Sequence, residues 1–166
     1  MKNSKRVTLE QVKNPEQFRY HAAFVEKAVR SAADQVFANM SAFVHDYPTA
    51  SSENLIYGKQ KNGSDWVEGF WTGILWTCYE LTENELFRAV AEAQFDDYEE
   101  RMDQFKLLSH HDIGFLYVPS IVAQYKVTGS LKAKNLGLRA ADQLAKRFSE
   151  GARIIQVRDS DPQGTF

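Results

Sequence analysis

The stretch DWVEGFWTGILWTCYELT, Asp65 to Thr82, decides the fold. Trp66, Trp71 and Trp76 are five apart, and five residues carry a helix about 140° past a full turn, so the three indoles point in three directions. The remaining apolar residues fill the space between them, and the helix is apolar nearly all round. Such a helix is buried on several sides, as on the inside of a helical barrel or bundle. Core packing accounts for each tryptophan. Trp66 differs in sitting in the first turn beside a polar stretch, where an exposed ring face can also serve as a stacking platform.

Upstream, KNPEQFRYHAAFVEKAVRSAADQVFANMSAFVHDYP predicts a long amphipathic helix. Asn14 can cap it, Pro15 suits its first position, Phe24, Val25, Ala28, Val29, Ala32 and Val36 recur at helical spacing, and it ends near Tyr47–Pro48. Residues 1–14 read as a flexible N-terminus. Residues 48–65 read as a long polar loop, of the kind that borders a cleft more often than it merely joins two elements. Downstream, Thr82 and Glu85 have capping-box spacing and open one amphipathic helix, ENELFRAVAEAQFDDYEERMDQF, whose charged DDYEER run is a solvated face. A further helix runs through IVAQYKVTG to a left-handed stop at Gly129. Ser130 caps the last helix, which Gly151 closes; RIIQV then reads as extended and DSDPQG as a turn. All-apolar helices thus alternate with one-faced helices. That predicts an all-α chain of antiparallel helical hairpins in two concentric layers, organised as a single domain over residues 1–166, with too few helices to close a double-layered barrel.

Composition narrows the function classes. With 43% apolar residues the chain can bury a sizeable core, and 20 basic against 22 acidic residues, with no basic cluster interleaved with aromatics, argue against nucleic acid as a partner. The single cysteine, Cys78, allows no disulfide framework and suits a reducing cytoplasm. MKNSKRVTLEQ has no apolar core of signal-peptide length and no later run is long enough for a bilayer, so a soluble protein away from membranes is expected.

One cluster carries chemistry: LLSHHDIGF, Leu107 to Phe115. Ser109 and Asp112 have the spacing of a capping box, in which hydroxyl and acid satisfy helix-end N–H groups. A metal site would need converging ligands, whereas His110 and His111 diverge on a helix and no His-rich or Cys-rich partner stretch exists, so neither metal nor cofactor is predicted. The third reading makes Asp112 a catalytic carboxylate at a helix start, favoured there by the dipole and by imidazole donors, with Gly114 letting a substrate approach the backbone. Capping and catalysis are compatible. Pro119 either kinks a helix begun at Ser109 or starts the next one.

Together, DWVEGFWTGILWTCYELT, HHDIGFLY some thirty residues later and IIQV before a polar turn resemble the N-terminal part of the unsaturated glucuronyl hydrolases, glycoside hydrolase family 88, from about Tyr57 to Val157. The resemblance implies part of an (α/α)6 barrel. It also implies an oligosaccharide substrate ending in a 4,5-unsaturated uronic acid, such as lyase-generated chondroitin or hyaluronan disaccharides. The reaction it implies is a hydration: an acid protonates C4 of the vinyl ether, water adds at C5, and the hemiketal collapses to release the neighbouring sugar.

By the same resemblance, Asp112 matches the catalytic aspartate of the HHD motif, Trp66 an aromatic facing the sugar and His111 a neighbouring polar contact. Arg158 stands where some relatives have an aromatic, where it would suit a sulfated or second acidic sugar. The family's second aspartate, its general acid and base, follows the IIQ segment and its turn, and none of Asp142, Asp159 and Asp161 matches it. Two carboxylates in different environments run acid and base steps at neutral pH, so little activity is expected of these 166 residues alone, and their exposed apolar helix faces favour self-association. An unsaturated rhamnogalacturonyl hydrolase shares barrel and chemistry, and a helical-hairpin binding module with Asp112 as a mere cap would explain the caps and layers equally well.

Overall fold

A computed structural model describes residues 21–157. The expected cap at Asn14–Pro15, the flexible segment 1–14, Arg158 and the DSDPQG turn lie outside the described residues. Packing divides the chain into two compact units, residues 1–35 and 36–166. The first contains most of α1 (Ala22–Met40), on which Phe24 and Val25 are exposed and Arg30 pairs with Glu26 one turn away at 2.7 Å.

In the second unit, α1 stops at Met40, short of the expected Tyr47–Pro48, and tightens into a 3-10 turn, Ser41–Phe43. The reason lies in the core. The Phe43 carbonyl accepts from Trp71 Nε1 at 3.3 Å and Gln94 Nε2 at 2.9 Å, bonds an α-helical continuation would oppose. The polar stretch expected to be a loop is largely a hairpin, β1 (Tyr47–Glu53) antiparallel to β2 (Ile56–Gln60). Asn54 and Leu55 turn it with φ of 51° and 65°, the left-handed pair that a two-residue hairpin turn requires. Most of its residues are exposed on both faces, so no apolar alternation marked it as strand.

Three helices follow: α2 (Glu68–Thr82), α3 (Glu85–Ala93) and α4 (Phe95–Asp103). The single amphipathic helix expected downstream of α2 is broken at Gln94, whose buried amide accepts from Thr72 Oγ1 at 2.7 Å and donates to Phe43. The Thr82–Glu85 capping box does not form either. Thr82 turns its hydroxyl back to the Cys78 carbonyl at 2.6 Å, and Asn84 caps α3 by accepting from the Leu86 N–H at 3.0 Å.

Pro119 starts no helix: it lies within a π-turn, and the helix that reaches it begins at Ile113 and not at Ser109. One continuous rod runs from α5 (Ile113–Tyr117) through a π-turn (Val118–Val122) into α6 (Ala123–Thr128). Proline lacks the N–H and crowds the carbonyl four residues back, and widening the turn accommodates it without ending the helix. Gly129, at φ 73°, stops α6, and Ser130 accepts from the Ala133 N–H at 3.3 Å to open α7 (Leu131–Ala145). Gly151 does not close α7. The helix ends at Ala145, and the short strand β3 (Phe148–Ser149) pairs antiparallel with β4 (Ile154–Ile155), the expected extended run.

The core lies between α2 and this rod, where Leu75, Trp76, Leu116, Tyr117 and Ile121 are buried with Phe87 and Tyr98 from the helices behind. Trp71 and Trp76 are both core residues, as their spacing implied. Two glycines let α2 approach: a Cβ on Gly69 would press into the Leu116 and Phe115 carbonyl oxygens, and one on Gly73 would meet Pro119. Among the described residues no helix is long and apolar enough to cross a membrane.

Gly69→Ala is expected to cost about 1–3 kcal/mol, because the added methyl meets backbone that cannot turn aside. Gly114→Ala, where a Cβ would meet only Leu144 at 4.0 Å, is expected to be neutral or to gain up to about 1 kcal/mol. Urea unfolding midpoints check the order, and equal midpoints for the two variants would contradict it.

Candidate active site

The residues of the HHD motif lie between α4 and α5, on a link whose backbone is under strain. Phe105 and Leu107, both bulky, have φ of 53° and 52°, a region costly for such side chains and found where surrounding structure over-determines it. Here the surroundings are specific. The Lys106 N–H donates to the Arg101 carbonyl at 3.0 Å, its ammonium donates to the Asn62 carbonyl at 2.9 Å, and Leu108 is buried. From the other side, the His111 N–H donates to the Val157 carbonyl at 3.1 Å. Arg147 holds that segment in turn, its carbonyl accepting from the Gln156 N–H at 2.9 Å and its Nε donating to the Gln156 carbonyl at 2.9 Å. The HHD and IIQV motifs, over forty residues apart in sequence, are thus neighbours.

Asp112 occupies the N-cap position of α5, but its side chain caps nothing. The carboxylate instead faces the two imidazoles, with His110 Nδ1 at 3.2 Å and His111 Nε2 at 3.3 Å, and its side chain is 19% exposed. His110 Nδ1 also lies 3.1 Å from the Asp112 N–H. Protonated, that nitrogen donates to the carboxylate; unprotonated, it accepts from the amide, so it serves one partner at a time. The capping reading of Asp112 therefore fails on geometry, while a carboxylate held by two rings and open to solvent remains. Among the described residues no group of three or more His, Cys, Asp or Glu side chains is placed to hold a metal.

Trp66 stands two residues ahead of α2, its N–H donating to Asp65 Oδ1 at 2.6 Å. Its ring packs on Phe70, centroids 5.6 Å apart, and on Phe115 at 5.4 Å, while Phe70 and Phe115 close the triangle at 5.9 Å. Phe115 lies one helical turn beyond Asp112, which places the carboxylate and the aromatic cluster at one end of the rod. Phe70 and Phe115 were not singled out from sequence, although four residues after Trp66 and three after Asp112 are both same-face spacings. An open groove of about 470 Å³ continues from Phe70 past Ile74, Trp76 and Pro119; Asp112 is not among the residues that line it.

A second polar system lies beneath. The carboxylate of Glu68 and the guanidinium of Arg101, both without exposed side-chain area, pair at 2.7 Å. Next to them the Tyr98 hydroxyl is 2.6 Å from Thr72 Oγ1, and Tyr47 donates to Asp97 at 3.0 Å. Burial pushes the phenols of Tyr47, Tyr98 and Tyr117 far above the usual tyrosine range and raises the Asp97 carboxyl and the Cys78 thiol.

Comparison with known proteins gives the class to which these paired helices, with a carboxylate and aromatic rings gathered at their ends, belong. The chain belongs to Glycosyl Hydrolase Family 88, whose model matches residues 37–161. It is 36% identical over 157 residues to the unsaturated chondroitin disaccharide hydrolase of Streptococcus pneumoniae, covering 92% of this chain and 39% of that protein. The crystal structure of the unsaturated glucuronyl hydrolase from Streptococcus agalactiae superposes with a TM-score of 0.79 at 34% identity, covering 94% of this chain and 40% of that one. An aspartate-to-asparagine mutant of that enzyme complexed with dGlcA-GalNAc6S matches with a TM-score of 0.72 at 35% identity, covering 87% of this chain and 39% of that one. The chain therefore spans about two fifths of the length of the relatives it matches, and its helical hairpins form part of an α/α barrel.

Because Asp112 makes no capping bond and its histidine contacts are partly solvated, Asp112→Ala should cost less than the ~1 kcal/mol typical of a lost N-cap. Asn84→Ala, which removes a cap that is made, should cost about that amount. Chemical denaturation of the two variants beside the parent protein decides between them, and a larger loss for Asp112→Ala would restore its role as a cap.

Proposed function

We propose that this chain carries the sugar-acid half of a site that removes 4,5-unsaturated uronic acids from lyase-generated glycosaminoglycan disaccharides. The observation that carries this reading is the placement of Asp112, uncapped and flanked by two imidazoles, one turn from a ring that touches Trp66. In this reading Trp66 offers its face to the unsaturated ring, and His111 contacts the sugar beside Asp112. Asp112 orients the uronate ring and stabilises the positive charge that develops when C4 is protonated and water adds at C5. The stretch 48–65, with its hairpin, borders the cleft, and Arg158 takes the neighbouring sugar and suits a sulfated one. The proton itself moves through a second carboxylate, a role that none of Asp142, Asp159 and Asp161 fills in this reading. A cytoplasmic setting suits the buried, unpaired thiol of Cys78.

The test is a titration of the purified chain with an unsaturated chondroitin disaccharide, read by tryptophan emission and by the absorbance of the ring double bond. Binding is expected, without appreciable loss of absorbance, and Trp66→Ala should weaken it at least about tenfold, as loss of a stacking face does. Phe70, Ile74 and Val118 leave apolar helix faces exposed, so self-association should make the curve depend on protein concentration. Equal binding by Trp66→Ala would remove the platform, and sustained turnover by the chain alone would remove the need for a second carboxylate.

A further inference from the structure

The loop Lys61–Asp65 precedes Trp66 and has no regular structure, yet three of its backbone amides are engaged by one buried side chain. Glu68 Oε1 accepts from the Ser64 N–H at 2.9 Å and the Asp65 N–H at 3.1 Å, and its Oε2 accepts from the Gly63 N–H at 3.1 Å. Three consecutive amides thus wrap one carboxylate, the arrangement by which backbone nests bind anions. Gly63 contributes with φ 79°, and the space a Cβ there would need is taken by the Lys106 side chain. Gln60 Nε2 adds a longer contact from the end of β2 at 3.4 Å.

Arg101 completes the arrangement from α4. Its NH1 donates to Glu68 Oε2 at 2.7 Å and its NH2 donates to the Asp65 carbonyl at 2.8 Å. The Asn62 side chain donates to the Asp97 carbonyl at 2.9 Å, tying the same loop to the same helix. The residue after Asp65 is Trp66, whose N–H is held by the Asp65 side chain. A buried ion pair of this kind contributes little net stability against well-packed apolar residues of the same volume. What it supplies is direction, since a guanidinium fork and a carboxylate accept only a narrow range of geometries.

We infer that the Glu68–Arg101 pair is the positioning element for Trp66: through the Gly63–Asp65 nest it fixes where that indole sits against Phe70 and Phe115, and so sets affinity at the ring without touching a ligand. The affinity half of this inference rests on the proposed function; the placement of the indole does not.

Fluorine NMR of the chain grown with fluorotryptophan reads the placement directly, since the three tryptophans give three signals and Trp66→Phe identifies that of Trp66. Two variants are compared without ligand. Glu68→Gln keeps the side-chain shape and removes the charge; Arg101→Lys keeps a cation beside Glu68 but gives up the donor to the Asp65 carbonyl, and it decides the matter if Glu68→Gln does not fold. The Trp66 signal is expected to shift and broaden while those of the buried Trp71 and Trp76 stay in place. A Trp66 signal unchanged in folded Arg101→Lys, or three signals moving alike, overturns the inference. Adding unsaturated chondroitin disaccharide separates the two proposals. In the parent the ligand should move the Trp66 signal, and in Arg101→Lys it should bind roughly tenfold more weakly or worse, as a displaced binding group requires. A parent signal indifferent to the disaccharide would sink the proposed function and the affinity half, and leave the placement half to the ligand-free spectra.

Discussion

A carboxylate buried without exposed area has to have its charge and its lone pairs met inside the protein, and for Glu68 this demand organises everything near it. The amides that answer it come from the loop after the β-hairpin, and the cation that answers it comes from α4. Three pieces of chain are therefore held at one point. Hydrogen bonds in so apolar a setting are strong when made and costly when missing, which makes such a junction close to all-or-none. Trp66 leaves that junction directly, and its ring then rests on Phe70 of the helix it precedes and on Phe115.

A second constraint brings the opposite wall into reach. α2 and the rod built from α5 and α6 touch where Gly69 faces the Phe115 and Leu116 carbonyls and Gly73 faces Pro119. The π-turn lets the rod continue through its proline, keeping Phe115 on a rigid element. The link before Asp112 pays with two left-handed residues for a short route from α4 to the rod. The result places a carboxylate, two imidazoles and three aromatic rings at one end of the paired helices.

This arrangement also separates the roles that one motif seemed to combine. Ser109 to Asp112 has the spacing of a cap, yet helix caps elsewhere in the chain are made by Asn84 and Ser130, and Asp112 is turned toward His110 and His111. A carboxylate committed to helix amides has few lone pairs left for a ligand. One supported by imidazoles, partly open to solvent, keeps them.

Periodicity alone determined that this chain is helical, that Trp71 and Trp76 are buried, and that Gly129 and Ser130 mark a helix boundary, because those features depend on residues within one or two turns of each other. The three ordered motifs likewise carried the family. Local reasoning placed the end of α1, the loop for the hairpin and the unbroken helix after Asn84 wrongly, where a partner distant in sequence was responsible or the strand faced solvent on both sides, and it misplaced the Thr82 cap because the hydroxyl turns back to Cys78 and Asn84 caps instead. Phe43 and Gln94 meet across 51 residues, and Glu68 and Arg101 across 33. No pattern within a helix or strand encodes such pairs, since they exist only after the chain has packed. The site's ingredients were therefore written in the sequence, and their arrangement was decided by buried polar groups finding partners that only the tertiary structure supplies.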